Sequence, residues 1–143
     1  MSINSSSERN LKTLFFTEKE MTLSVTASKE GIDNSLPSSF RPNMLYTMTR
    51  MDTIRLMVGC PIFITSGFRC PKLNYTVGGC SDSYHLVGLA VDFTVDFGKS
   101  RFSLSDIYGI IDRHKSALGV HELIHYKDRD FIHIAFISPY ESI

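Results

Sequence analysis

His85 and Asp92 lie seven residues apart in Ser83-Tyr84-His85-Leu86-Val87-Gly88-Leu89-Ala90-Val91-Asp92, and a late His133 lies in Phe131-Ile132-His133-Ile134-Ala135-Phe136. Asp92 and His133 each sit inside a short run of β-branched and aromatic residues, which reads as a strand. A carboxylate buried in such a run requires a partner or a metal, because an unpaired buried charge costs far more than the run gains. If the three side chains meet, the two runs must be neighbouring strands and the loop bearing His85 must fold against them. Gly88 permits the tight turn and Ala90 leaves room beside Asp92. Two imidazoles and one carboxylate suit Zn²⁺ and leave a fourth position open, the pattern of a catalytic rather than a structural site. An ion held in that way lowers the pKa of a water and polarises a carbonyl.

The rest of the chain limits the alternatives. Its 143 residues, 43% hydrophobic and 21% charged, suffice for one globular domain with a real core. Fifteen Lys and Arg balance fifteen Asp and Glu, so the basic excess of a nucleic-acid binder is missing. Residues 1–10 read as a flexible tail before a domain over 11–143. The first ten residues show neither the basic start nor the apolar run of a secretory signal, and no segment reaches membrane-spanning length. Synthesis as a cytoplasmic chain is the expectation. Cys60, Cys70 and Cys80 have no metal-finger spacing and read as buried or half-buried thiols.

Turn signals and periodicity divide the chain. Residues 15–21 read as a short strand or turn entering a helix, and 31–37 as a loop. A long amphipathic helix is expected over roughly 38–58, with Leu45, Met48, Met51, Ile54, Arg55, Met57 and Val58 near helical spacing and Gly59 and Pro61 ending it. Strands are expected at 61–66, 89–95, 120–126 and 131–137, a helix at 105–116, and an extended functional loop over 67–83. The order predicts an α+β domain, a small antiparallel sheet with N-terminal helices packed on it.

His121-Glu122-Leu123-Ile124-His125 matches the HExxH pattern of another zinc peptidase class. That motif works only on a helix, where residues i and i+4 share a face. Gly119 precedes it, and Val120, Leu123, Ile124 and Tyr126 give no amphipathic helix. The only distant third ligand is Glu141. In a strand, His121 and His125 would share one face and Glu122 the other, leaving either histidine able to line a cleft.

Ser66-Gly67-Phe68-Arg69, Leu73-Asn74, Val77-Gly78-Gly79, Ser83-x-His85-x-x-Gly88-x-Ala90-x-Asp92 and Phe131-Ile132-His133 together resemble the D-alanyl-D-alanine carboxypeptidase family of zinc peptidases, the M15 family. Gly31-Ile32-Asp33-Asn34 and Glu122-Leu123-Ile124 are similar to its small phage and prophage members, whose relatives cut peptidoglycan cross-link or stem peptides. The resemblance implies a hedgehog/DD-peptidase-like fold, with His85, Asp92 and His133 as zinc ligands. It implies Arg69 as the cation for a peptide carboxylate or the oxyanion, and Ser83 as a hydrogen-bonder to substrate or to His85. Relatives carry an acidic base shortly before the last histidine, often as Glu-x-x-His. Here that position is Asp130, one methylene shorter, with Glu122 as second candidate. The acid that follows the Leu-Ile pair in the small phage members is replaced by His125-Tyr126.

The implied activity is hydrolysis of peptidoglycan peptides by a metal-activated water, in a phage-encoded lysis or virion protein without an appended wall-binding domain. The alternative is a catalytically silent zinc module on the same fold. Neither a nucleic-acid partner nor a membrane span is expected.

Overall fold

The structure, a computed structural model, describes residues 9–138. Most of the expected tail, and Glu141, fall outside these residues; Arg9 and Asn10 are exposed.

Two short helices open the fold. Helix α1 (Glu18–Thr22) starts at Thr17, whose hydroxyl accepts from Glu20 N while the Glu20 carboxylate accepts from Thr17 N, a reciprocal cap. Helix α2 (Val25–Glu30) is capped by Ser24 and closed by Gly31. After the loop over 32–37 and a 3₁₀ turn (Ser38–Phe40), helix α3 (Arg41–Val58) runs to Gly59, whose φ of 72° ends it in the left-handed conformation. Met44, Met48, Met51, Ile54 and Val58 form its buried stripe, each at most 1% exposed. The stripe lies one residue off the expected one at its start: Leu45 is 40% exposed and Met44 takes its place.

The sheet contains β1 (Ile62–Ser66), β2 (Ala90–Val95), β3 (Val120–Tyr126) and β4 (Phe131–Phe136), in the order β1-β2-β4-β3 and antiparallel throughout. This is the α+β architecture predicted. Side chains alternate between faces. Val91, Phe93 and Val95 of β2, with Ile132, Ile134 and Phe136 of β4, join the core stripe of α3 and Leu104, Ile107 and Ile111 of helix α5 (Leu104–Arg113). The opposite face carries the register row Ser66, Asp92, His133, Ile124. The core therefore fixes one face of β2 and β4 and presents Asp92 and His133 together on the other.

Three expectations are revised. The segment 67–83 is not wholly loop: Pro71 opens helix α4 (Pro71–Thr76), since proline suits a first helical turn. The helix expected over 105–116 breaks at His114, and a short helix α6 (Lys115–Leu118) follows. Cys60 is buried and Cys70 partly so, but Cys80 is exposed. Among the described residues no helix is long and apolar enough to cross a membrane.

Candidate metal centre

His85 is held by its neighbours before it meets any ligand. It lies in a 3₁₀ turn (Tyr84–Val87) capped by Ser83, whose hydroxyl accepts from His85 N at 3.1 Å. Gly88 ends the turn at φ +82°, a conformation that an L side chain resists. Helix α3 clamps it from behind: Asn43 Nδ2 donates to Val87 O at 3.1 Å, and Thr47 Oγ1 donates to Gly88 O at 2.7 Å. His85 is 2% exposed and its Nδ1 lies 2.7 Å from Gly67 O. A carbonyl can only accept, so Nδ1 carries a proton, and Nε2 is the nitrogen left to meet Asp92 or an ion.

That nitrogen faces Asp92. His85 Nε2 lies 3.3 Å from Asp92 Oδ1, and His133 Nδ1, directly across the β2–β4 ladder, lies 2.8 Å from the same oxygen. One ligand atom from each of the three residues falls within 4.8 Å of the others. Burial pushes the Asp92 carboxyl up, but hydrogen bonds from His133 and His85 outweigh it and hold the group well below the usual carboxylate range. For His133 burial works downward, and the hydrogen bonds to Asp92 and Glu122 reverse it, so the imidazole is raised. Two nitrogens and one carboxylate oxygen, with one tautomer fixed by a backbone carbonyl, are a donor set that fits Zn²⁺.

Arg69 stands beside the three. Its Nη2 lies 3.6 Å from Asp92 Oδ2, its Nε donates to Ser66 Oγ at 3.2 Å, and its Nη1 donates to Asn74 Oδ1 at 3.1 Å. Burial lowers the guanidinium's pKa and the Asp92 charge opposes that shift. The backbone is pinned as well: Arg69 N donates to His85 O at 3.1 Å. On either side, buried Asn34 donates to Phe68 O at 2.9 Å and accepts from Cys70 N at 2.8 Å. Asn74 also donates to Cys80 O at 2.8 Å. Gly79 makes this packing possible, since a Cβ there would stand 2.1 Å from Asn74 Oδ1.

Asn34, Asn74 and Thr47 are thus the supporting residues whose roles sequence reasoning did not assign. Each is 8% exposed or less. The available signal was a polar side chain within a turn-rich motif or among helix core positions.

These groups form the floor of a cleft of about 920 Å³ whose far wall is β3 and the turn Lys127–Arg129. Ser83 and Glu122 line it. Glu122 Oε1 lies 2.9 Å from His133 Nε2. Asp130 is exposed at the head of β4 with φ 56°, and it is not among the cleft-lining residues although Arg129 and Phe131 are.

The HExxH segment is strand β3, so its two histidines cannot share a helix face. Both line the cleft instead: His121 stacks on Tyr84 at 4.8 Å, and His125 stacks on Tyr108 of α5 at 6.5 Å. The β3–β4 register shifts between Val120 and Glu122.

No curated protein matches the chain. The model of the family described as Peptidase M15 matches residues 14–135, a span that includes Arg69, Ser83, His85, Asp92, Glu122, Asp130 and His133. With this match over most of its length, the chain belongs to the M15 peptidase family.

Proposed function

We propose that this protein is a zinc-dependent peptidase hydrolysing peptidoglycan peptides, as a D-Ala-D-Ala carboxypeptidase or a stem-peptide endopeptidase. The observation that carries this reading is the convergence of His85, Asp92 and His133 within 4.8 Å at the floor of the cleft, beside Arg69. Zinc at that point supplies Lewis-acid polarisation of the scissile carbonyl and a lowered pKa for the attacking water. Arg69, pre-aimed by Ser66 and Asn74, binds a peptide carboxylate or the charge developing on the carbonyl oxygen. Ser83 keeps the His85 turn in place from the cleft side. Asp130 accepts the proton of the attacking water; without substrate, catalytic hydrogen bonds are often long and tighten only in the complex. A phage or prophage origin, with action on the wall after release or as a virion component, belongs to this reading and is supported by the similarity of the Gly31–Asn34 and Glu122–Ile124 segments to the small phage members.

A catalytically silent zinc module on the same fold is the second reading. One observation favours it: Asp130 lies outside the cleft lining.

Zinc content and muropeptide digestion, measured on wild type, His85→Ala and His121→Ala, test the proposal. The expected result is about one zinc per chain, lost in His85→Ala and retained in His121→Ala, with cleavage following the zinc. Zinc without cleavage by any wild-type sample selects the silent module. Zinc retained in His85→Ala, or absent from reconstituted wild type, overturns the metal assignment.

A further inference from the structure

The two histidines of the constellation are held by opposite nitrogens. His85 is fixed through Nδ1 by Gly67 O and turns Nε2 toward Asp92. His133 turns Nδ1 toward Asp92, and its Nε2 lies against Glu122 Oε1 at 2.9 Å. The nitrogens of one imidazole point to opposite sides of the ring. A carboxylate seated on Nε2 therefore lies on the far side of His133 from an ion taken by Nδ1, away from where a general base must act.

The strand register explains how Glu122 arrives there. Ile124 stands directly across from His133, and Glu122 is opposite Ala135, two positions along on the same face. The small side chain of Ala135 leaves the diagonal open, and a glutamate is long enough to cross it. The acid thus reaches from the edge strand to a ring on the adjacent central strand.

We propose that Glu122 is a positioning residue for His133: it accepts the Nε2–H hydrogen bond, so that the ring presents its Nδ1 lone pair to the ion and cannot rotate away. A carboxylate partner also makes the imidazole a more basic ligand, and loss of such a partner typically weakens metal affinity about 10–100-fold. This inference rests on the metal-site reading of the preceding section and assigns Glu122 to orientation rather than to proton transfer.

The test uses zinc alone as probe, with affinity for the metal-free protein measured by competition with a chromophoric chelator, and turnover measured separately. The variants are Glu122→Ala and Glu122→Gln, with wild type and His85→Ala as references. The Glu122 side chain is 45% exposed, and the melting temperature of each metal-free variant verifies its fold. Glu122→Ala is expected to bind zinc about 10–100-fold more weakly. Glu122→Gln is expected to recover most of that loss, because its amide oxygen still accepts from Nε2–H. Unchanged affinity in Glu122→Ala overturns the proposal, and so does equal loss of turnover in both variants with affinity intact, the signature of a general base. Equal loss of affinity in both variants overturns it as well, since Glu122 would then be a direct ligand. Wild type that binds no zinc, or binds it as tightly after His85→Ala, refutes the underlying metal site, an outcome visible without any Glu122 variant.

Discussion

Asp92 and His133 face one another across the β2–β4 ladder with Oδ1 and Nδ1 2.8 Å apart, and each shifts the other's protonation. The Asp92 carboxyl is depressed below its unfolded value of about 3.9, so its contribution to stability is present above that pH and is lost as pH falls through the lower folded value. The His133 imidazole is raised above its unfolded value of about 6.5, so its contribution is complete below that pH and disappears as pH rises through the folded value.

For the metal-free protein, the melting temperature should therefore fall as pH rises from about 6.5 into the alkaline range. Zinc affinity should rise over the same interval, because binding needs the deprotonated Nδ1 of His133. Thermal melts with a chelator and zinc titrations across that range check both slopes. A melting temperature independent of pH in this interval would contradict the Asp92–His133 coupling.

Asn34→Ala removes the clamp on both sides of Arg69, leaving Phe68 O and Cys70 N without their side-chain partner. Each buried backbone group left unpaired costs about 1–3 kcal/mol. A clear loss of stability in denaturant titration should accompany a weakened KM for peptides carrying a free carboxylate. Wild-type stability would show that water or a backbone shift replaces the clamp.

Gly79→Ala places a methyl 2.1 Å from Asn74 Oδ1 and 2.9 Å from Arg69 Nη1. Asn74 must move, and with it the guanidinium. The expected phenotype is a raised KM with a smaller change in zinc affinity, since the displaced guanidinium meets the constellation only at Asp92 Oδ2. Loss of zinc instead would mean that the 67–83 segment and the metal centre are mechanically one unit.

Asp130→Asn separates the two functional readings. In the peptidase, removal of the base costs about 10²–10⁴-fold in kcat while zinc stays bound. A variant whose turnover equals that of wild type would remove Asp130 from the mechanism. Steady-state kinetics on muropeptides beside a zinc assay distinguishes these outcomes.

The meeting of Asp92 and His133 was legible in the sequence because both lie in strand-like runs. Asp92 and His133 lie in apolar runs whose alternate residues belong to a core, so their own side chains had to share the other face. The strand assignment over 120–126 was legible for a related reason: Gly119 and the lack of helical periodicity argue against HExxH geometry. What stayed hidden depends on contacts between distant segments. Asn34 and Asn74 look like ordinary loop asparagines until the chain brings Arg69 between them. The helix at Pro71–Thr76 was obscured because proline and asparagine also signal turns. The bond between Glu122 and His133 depends on the β3–β4 register, which no local pattern specifies.

The sheet order β1-β2-β4-β3 places Asp92 and His133 on the two interior strands and leaves β3, with the turn after it, as the cleft's outer wall. Interior strands are hydrogen-bonded on both sides and tolerate little change; an edge strand is bonded on one side only. Asp92 and His133 therefore stand where the sheet yields least, while the cleft's outer wall stands at its edge. In the proposed peptidase, replacements at exposed Ile124 or Tyr126 would alter which peptide is accepted more than they alter the Asp92–His133 pair. Redesign of the cleft would begin at its rim and leave its middle untouched.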